Sequence, residues 1–185
     1  MSKVLSRKRG NMRNIKIYGL GFAFVILMVL VASSRAGVED LKGKVAPDFE
    51  LTTLDGKTVK LSDQKGKVVL LDFWATWCPP CVAALPHVQK LAADQELAEK
   101  GLVVWAVNAG EQKARIESFV KKNNYTFTVP VDSHTTTLKA YGIEGIPTQI
   151  VVGRDGTIVH VGVGFSGEEG NKKLDEVIKS ALAQK

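Results

Sequence analysis

Cys78-Pro79-Pro80-Cys81 sets two thiols three residues apart, and these are the only cysteines among the 185 residues of the chain. Two cysteines are too few for a disulfide scaffold, so their use has to come from local context. They follow Phe73-Trp74-Ala75-Thr76-Trp77, the end of an apolar run, and precede a stretch with helical periodicity. At such a strand-to-helix junction, two intervening residues let the sulfurs close a disulfide across the first helical turn. Pro79 and Pro80 stiffen that turn and are tolerated in it, because first-turn amides have no intrahelical acceptor. Cys78 is then expected at the helix N-terminus, where unpaired amides and the helix dipole favour a thiolate. Thiols in such motifs have a pKa lowered from about 8.5 into the range of roughly 3.5 to 7.5. The expectation is that Cys78 attacks and that Cys81, one turn further in and more buried, resolves the mixed disulfide.

Other uses of the pair fit less well. A purely structural disulfide would close too small a loop to constrain the unfolded chain much. A zinc site needs about four ligands, and only His87, His134 and His160 could supplement the cysteines. His87 lies six residues past Cys81 and faces nearly the opposite way on a helix. A copper chaperone using the two thiolates is the alternative from the binding proteins. The stretch after Ala36 holds no methionine, since Met1, Met12 and Met28 all precede it, and this counts against copper. The reading is a redox-active disulfide, with no metal and no separate cofactor.

The elements that must position the pair are legible as a pattern. Val68 to Phe73 is a β-branched and apolar run, consistent with a central buried strand. From Cys81 to Lys100, apolar residues fall at helical spacing, with Gly101 as the expected C-terminal cap. Leu102 to Val107 reads as a second buried strand, Lys113 to Asn123 as a helix, Phe127 to Val131 as a third strand and Thr136 to Tyr141 as a short helix. Two turn signals, Leu54-Asp55-Gly56-Lys57 and Arg154-Asp155-Gly156-Thr157, join strands Asp48–Leu51 to Thr58–Leu61 and Thr148–Val152 to Ile158–Val163. A helix carrying Leu174, Val177, Ile178, Ala181 and Leu182 ends the chain. This order predicts an α/β fold: a central mixed sheet, parallel in the middle and antiparallel at one edge, with helices on both faces.

The formal net charge of +6 belongs to one end of the chain. Residues 1 to 36 hold Lys3, Arg7, Lys8, Arg9, Arg13, Lys16 and Arg35 and no acidic residue; the remainder has 18 Lys and Arg against 19 Asp and Glu. The folded part therefore carries no nucleic-acid footprint. The basic stretch leads into an apolar run from Ile17 to Ala32, then Ser33-Ser34-Arg35-Ala36-Gly37, the layout of an export signal. As a helix the run would span about 24 Å, somewhat under the roughly 30 Å hydrocarbon core, with Ser33 and Ser34 available to extend it. A retained anchor over residues 15–34 is favoured over a cleaved signal. Either way the basic residues stay cytoplasmic and the rest is exported, to the outer face of the membrane or to the periplasm. The expected organisation is a basic N-terminus with anchor or signal peptide over 1–36, a tether over 37–46, and a folded domain over 47–185.

The sequence resembles the TlpA/ResA-like branch of the thioredoxin superfamily over nearly all of residues 45 to 183. The residues that carry the likeness are Lys67-Val-Val-Leu-Leu-Asp-Phe-Trp-Ala-Thr-Trp-Cys-Pro-Pro-Cys81, Pro47-Asp48-Phe49 with Leu61-Ser62, and Tyr141-Gly-Ile-Glu-Gly-Ile-Pro-Thr148. The resemblance implies a thioredoxin fold with an added N-terminal β-hairpin and a thiol–disulfide oxidoreductase activity. It makes Pro147 a cis-proline opposite the Cys pair and Ile146 the residue whose backbone pairs with a substrate strand. Trp77, Pro79 and Pro80 are then expected to contact substrate around the motif, with Trp74 packed beside it, and Pro86 matches the family's helix-kinking proline. Many members carry a glutamate three residues after the second Cys, where this chain has Ala84. Asp72 occupies the position of the buried acid of thioredoxins proper. It is expected to manage the proton of Cys81 alone, with a pKa raised by desolvation. The family's role implies a reductant of exported protein disulfides, cytochrome c maturation being one such role, supplied with electrons by a transmembrane partner. A peroxiredoxin-type peroxidase shares the hairpin. Those enzymes place a threonine three residues before the reactive cysteine, and here that position is Ala75.

Overall fold

The structure is a computed structural model and describes residues 37–184. Its centre is β3 (Val68–Trp74), in which all seven residues are buried. A run of aliphatic and aromatic residues interrupted only by Asp72 fits a strand inside a sheet covered on both sides. Its parallel neighbour β4 (Leu102–Ala109) pairs Val68 with Leu102 and Trp74 with Asn108. On its other side β6 (Thr148–Val152) runs antiparallel, with Phe73 opposite Thr148 and Val69 opposite Val152. Strands β5 (Val131–Asp132) and β7 (Ile158–Val163) complete the order β5-β4-β3-β6-β7. The sheet is thus parallel on one side of β3 and antiparallel on the other. Strands β1 (Glu50–Thr52) and β2 (Thr58–Lys60) form the separate N-terminal hairpin, turning at Gly56 with a positive φ of 83°.

Side chains alternate across β3. Val68, Leu70 and Trp74 join the apolar layer built from helices α1 (Pro79–Ala93), α3 (Lys113–Lys122) and α5 (Gly167–Ala183). Val69, Leu71 and Phe73 join the opposite layer, which holds Tyr141, Ile143 and the hairpin residues Leu51 and Val59. Short helices α2 (Gln95–Glu99) and α4 (Thr136–Ala140) complete the fold. The result is the mixed α/β sheet with helices on both faces and an N-terminal hairpin.

Several local expectations are corrected. The helix expected from Cys81 to Lys100 begins at Pro79 and breaks at Asp94, which adopts an extended conformation and caps α2 through its carboxylate on the Leu97 amide at 3.0 Å. The strand expected over Phe127 to Val131 is regular only at Val131–Asp132. Pro130 has no N–H to give, yet the Thr128 and Pro130 carbonyls still accept from the Ala106 and Asn108 amides at 3.0 and 2.9 Å. The first hairpin strand starts at Glu50, because the Asp48 carboxylate is engaged in capping the Ser62 amide. Residues 37–46, expected to be a tether, have a structure of their own. Val38 is buried in a single 3-10 turn over Val38–Leu41, and the Lys44 carbonyl and Ala46 amide bond to Ile158 and Gly156. The anchor expected over residues 15–34 lies outside the described residues; among those described, no helix is long and apolar enough to cross a membrane.

Arg154 in the β6–β7 turn ties the far end of the sheet together. Its guanidinium donates to the carbonyls of Gly66 at 2.6 Å, Lys100 at 2.9 Å, Leu182 at 3.1 Å and Gln184 at 2.9 Å. Those carbonyls close the loop before β3, the end of α2 and the end of α5. Gly101 makes room for it: its φ is +96°, and a Cβ there would stand 3.2 Å from the guanidinium. Replacing Arg154 with alanine frees four carbonyls together. Arg154→Ala is expected to cost about 2 kcal/mol in urea unfolding with the redox chemistry intact; a loss within about 0.5 kcal/mol would show that the four bonds contribute little.

Candidate active site

Cys78 is the N-cap residue of α1, with φ −97° and ψ 103°, and Cys81 is the third residue of the helix. The two are joined in a disulfide. The amides that a helix N-terminus leaves unpaired can all be accounted for here. The Cys78 N–H donates to the Ala75 carbonyl at 3.2 Å. Pro79 and Pro80, at the first two helical positions, have none. The next amide, that of Cys81, donates to the Cys78 sulfur at 3.3 Å. The two prolines therefore leave one first-turn N–H, and it is aimed at the Cys78 sulfur. That bond, with the positive end of the helix dipole, stabilises negative charge on Cys78.

Cys78 retains 4% of its surface and Cys81 none. The two sulfurs of the pair therefore sit in residues that differ in exposure, with Cys81 wholly inside the fold. Beside Cys78 the Ile146–Pro147 peptide is cis, and the Ile146 carbonyl oxygen stands 3.7 Å from Cys78 Sγ. Trp77 is 60% exposed, Pro79 and Pro80 are exposed, Ile146 is half-buried, and Val163 at the end of β7 is 51% exposed. Val163 pairs with Thr148, and the Gly164 amide donates to the Pro147 carbonyl at 2.8 Å, so this end of β7 borders the cis-proline loop. Trp74, in contrast, is fully buried and donates its indole N–H to the Ala106 carbonyl at 3.1 Å.

A carboxylate that the sequence did not single out holds the loop before the cysteines. Glu111, buried just past the end of β4, accepts from the Thr76 amide at 2.7 Å, the Thr76 hydroxyl at 2.5 Å and the Asn108 side-chain amide at 2.9 Å. Arg115 pairs with it at 3.2 Å and also donates to the Thr76 hydroxyl at 2.9 Å. Four donors around one buried carboxyl anchor Thr76, two residues before Cys78. His87 does not turn towards the cysteines but meets Asp175 of α5 at 2.8 Å.

Asp72 is fully buried on β3. By strand alternation it shares the face of Leu70 and Trp74, the face packed against α1 and the layer containing Cys81. Burial pushes its carboxyl up to about 7, and a hydrogen bond from Gln149 Nε2 to Oδ1 at 3.0 Å opposes the rise. Oδ2 has no partner among the described residues. Ala84, where the family resemblance led to an expected glutamate in many members, is 1% exposed and offers no second acid.

The comparisons agree with this chemistry. The AhpC/TSA family model matches residues 42–161. A thiol-disulfide oxidoreductase ResA of Bacillus thuringiensis is 36% identical over 137 residues, covering 74% of this chain and 76% of that protein. The protein of the same name from Geobacillus thermodenitrificans is 35% identical, covering 74% and 78%. Among solved structures, a thiol:disulfide interchange protein DsbE from Chlorobium tepidum is similar with a TM-score of 0.71 and 37% identity, over 77% of this chain and 98% of that one.

The raised Asp72 pKa has a consequence for stability. Up to about pH 4 the carboxyl is neutral whether the chain is folded or unfolded. Between about 4 and 7 the unfolded chain ionises it while the fold holds it protonated, so stability falls as pH rises and levels off above 7. Asp72→Asn removes that dependence. Relative to the unsubstituted protein, the variant is expected to gain on the order of a few kcal/mol between pH 4 and pH 8 in urea unfolding; an identical pH dependence in the two proteins would contradict the shift.

Proposed function

We infer the activity from membership: the chain belongs to the AhpC/TSA family and, within it, is a thiol–disulfide oxidoreductase of the ResA and DsbE type. We propose that it reduces disulfides of exported proteins on the outer side of the cytoplasmic membrane, held there by residues 15–34. The observation that supports this reading is that Cys78 Sγ lies at the amide end of α1 and accepts from the Cys81 N–H, beside an apolar rim, while Cys81 is fully buried.

The reduced enzyme holds a Cys78 thiolate and a Cys81 thiol. The thiolate attacks one sulfur of the client disulfide. A Cys78–client bond forms, the client bond breaks, and the departing client sulfur takes a proton from water. Trp77, Pro79 and Pro80 offer the client an apolar surface, and the Ile146 backbone beside Pro147 pairs with its extended segment. Asp72 then accepts the Cys81 proton, and Cys81 attacks Cys78 Sγ. The second client sulfur leaves as a thiolate, and two electrons have passed to the client. A carboxyl tuned to about 7 suits that proton transfer near neutral pH.

The basic residues ahead of the apolar run keep residues 1–16 cytoplasmic, and the catalytic domain follows on the far side. Re-reduction in that compartment calls for a dithiol donor whose electrons cross the membrane. The family resemblance supports a transmembrane electron donor and includes cytochrome c maturation among the client roles.

Direction and order of attack are tested together. Cys81→Ser is expected to accumulate a mixed disulfide with a client, and Cys78→Ser to form none. The midpoint potential of the pair is expected on the reducing side of about −180 mV, towards thioredoxin's roughly −270 mV. A value near the −120 mV or so of DsbA would make the protein an oxidant instead.

A further inference from the structure

Strand β6 is apolar except at Thr148, its first residue, and Gln149. Gln149 stands directly across from Asp72 in the antiparallel β3–β6 pair and on the same face, where its neighbours Val151, Leu70 and Trp74 are all apolar and buried. An aliphatic residue would satisfy the packing of that position. Instead, a half-buried amide donates Nε2–H to Asp72 Oδ1 at 3.0 Å and leaves Oδ2 without a partner among the described residues.

We propose that Gln149 is a positioning residue for the resolving step: by occupying Oδ1 it makes Oδ2 the oxygen that takes the proton from the Cys81 thiol. This deepens the assignment of Asp72 as the acid–base group of Cys81 and rests on it. An unanchored carboxyl would rotate about its terminal torsion and present either oxygen; a cross-strand donor fixes the plane. The same N–H stabilises the ionised form and so keeps the acid within reach of neutral pH instead of fully protonated.

The other groups around Asp72 leave Gln149 as the controlling partner. Strand β4 contributes Ala106 opposite Asp72, and the apolar layer on that face of β3 includes Cys81 of α1 with Leu174 and Ile178 of α5. On β7, His160 lies across from Val151 on the same face; burial lowers its pKa, helped by Lys173 of α5 and by Lys42. No charged group contributes to the shift of Asp72, whose causes are burial first and the Gln149 hydrogen bond second.

The test compares the full-length protein with Asp72→Asn and Gln149→Leu in the pH dependence of thiol–disulfide exchange. Asp72→Asn is expected to remove one inflection, and Gln149→Leu to move that same inflection to higher pH by about one unit, the size expected for losing a hydrogen bond to a charged group. If Asp72→Asn removes the inflection and Gln149→Leu leaves it in place, the role of Gln149 is overturned and that of Asp72 stands. If Asp72→Asn changes nothing, the acid–base assignment falls and takes this inference with it. A readout without substitution covers the case in which Gln149→Leu fails to fold. In the unsubstituted protein the Gln149 side-chain amide resonances are expected to titrate with the Asp72 carboxyl, and a flat titration overturns the proposal.

Discussion

The proposed chemistry depends on one hydrogen bond, from the Cys81 amide to the Cys78 sulfur. With prolines at the first two positions of α1, the N–H of Cys81 is the first that the helix has to offer, and it points at Cys78 Sγ. The position of that sulfur therefore depends on everything that places the helix N-terminus. β3 delivers the chain to it, the buried Trp74 indole secures the strand end to Ala106, and Glu111 holds Thr76 in the intervening loop. Loosening any of these would move the sulfur relative to its only first-turn donor.

The second constraint is asymmetry between two chemically identical groups. Cys78 keeps a little surface beside an apolar rim, while Cys81 is sealed in the layer between sheet and helices. A thiol without solvent needs a proton acceptor inside the protein, and the sheet provides one carboxyl on the correct face, held by one cross-strand amide. With alanine at position 84, the proposed proton transfer from Cys81 rests on Asp72. Burial is what makes Asp72 suitable, and the same burial makes its ionisation costly to the fold.

Much of this was legible in the residues themselves. The largely apolar run Val68 to Phe73 identified all but the last residue of β3, the cysteine spacing placed the disulfide at a strand-to-helix junction, and Gly56 and Gly156 marked hairpin turns where positive φ is indeed adopted. What escaped were contacts between residues far apart in sequence. Glu111 reaches Thr76 across 35 residues and Gln149 reaches Asp72 across 77. Glu111 reads as an ordinary polar loop residue and Gln149 as the polar member of a strand until the register of the sheet is known. Helix periodicity likewise ran straight through Asp94, because a side chain that ends one helix and caps the next leaves the apolar spacing nearly undisturbed. Packing of Val38 and the pairing of Lys44 and Ala46 with the β7 end were hidden for a similar reason: a charged, glycine-containing stretch has tether composition whether or not another strand receives it.

The most direct test of the account is the rate of alkylation of each cysteine in the reduced protein as a function of pH, followed by mass analysis of the labelled peptides. Cys78 is predicted to react first, with an inflection clearly below the 8.5 or so of an ordinary thiol, while Cys81 stays unlabelled at neutral pH. An inflection for Cys78 at or above about 8.5, or preferential labelling of Cys81, would contradict the claim that the first-turn amide of α1 stabilises the attacking thiolate.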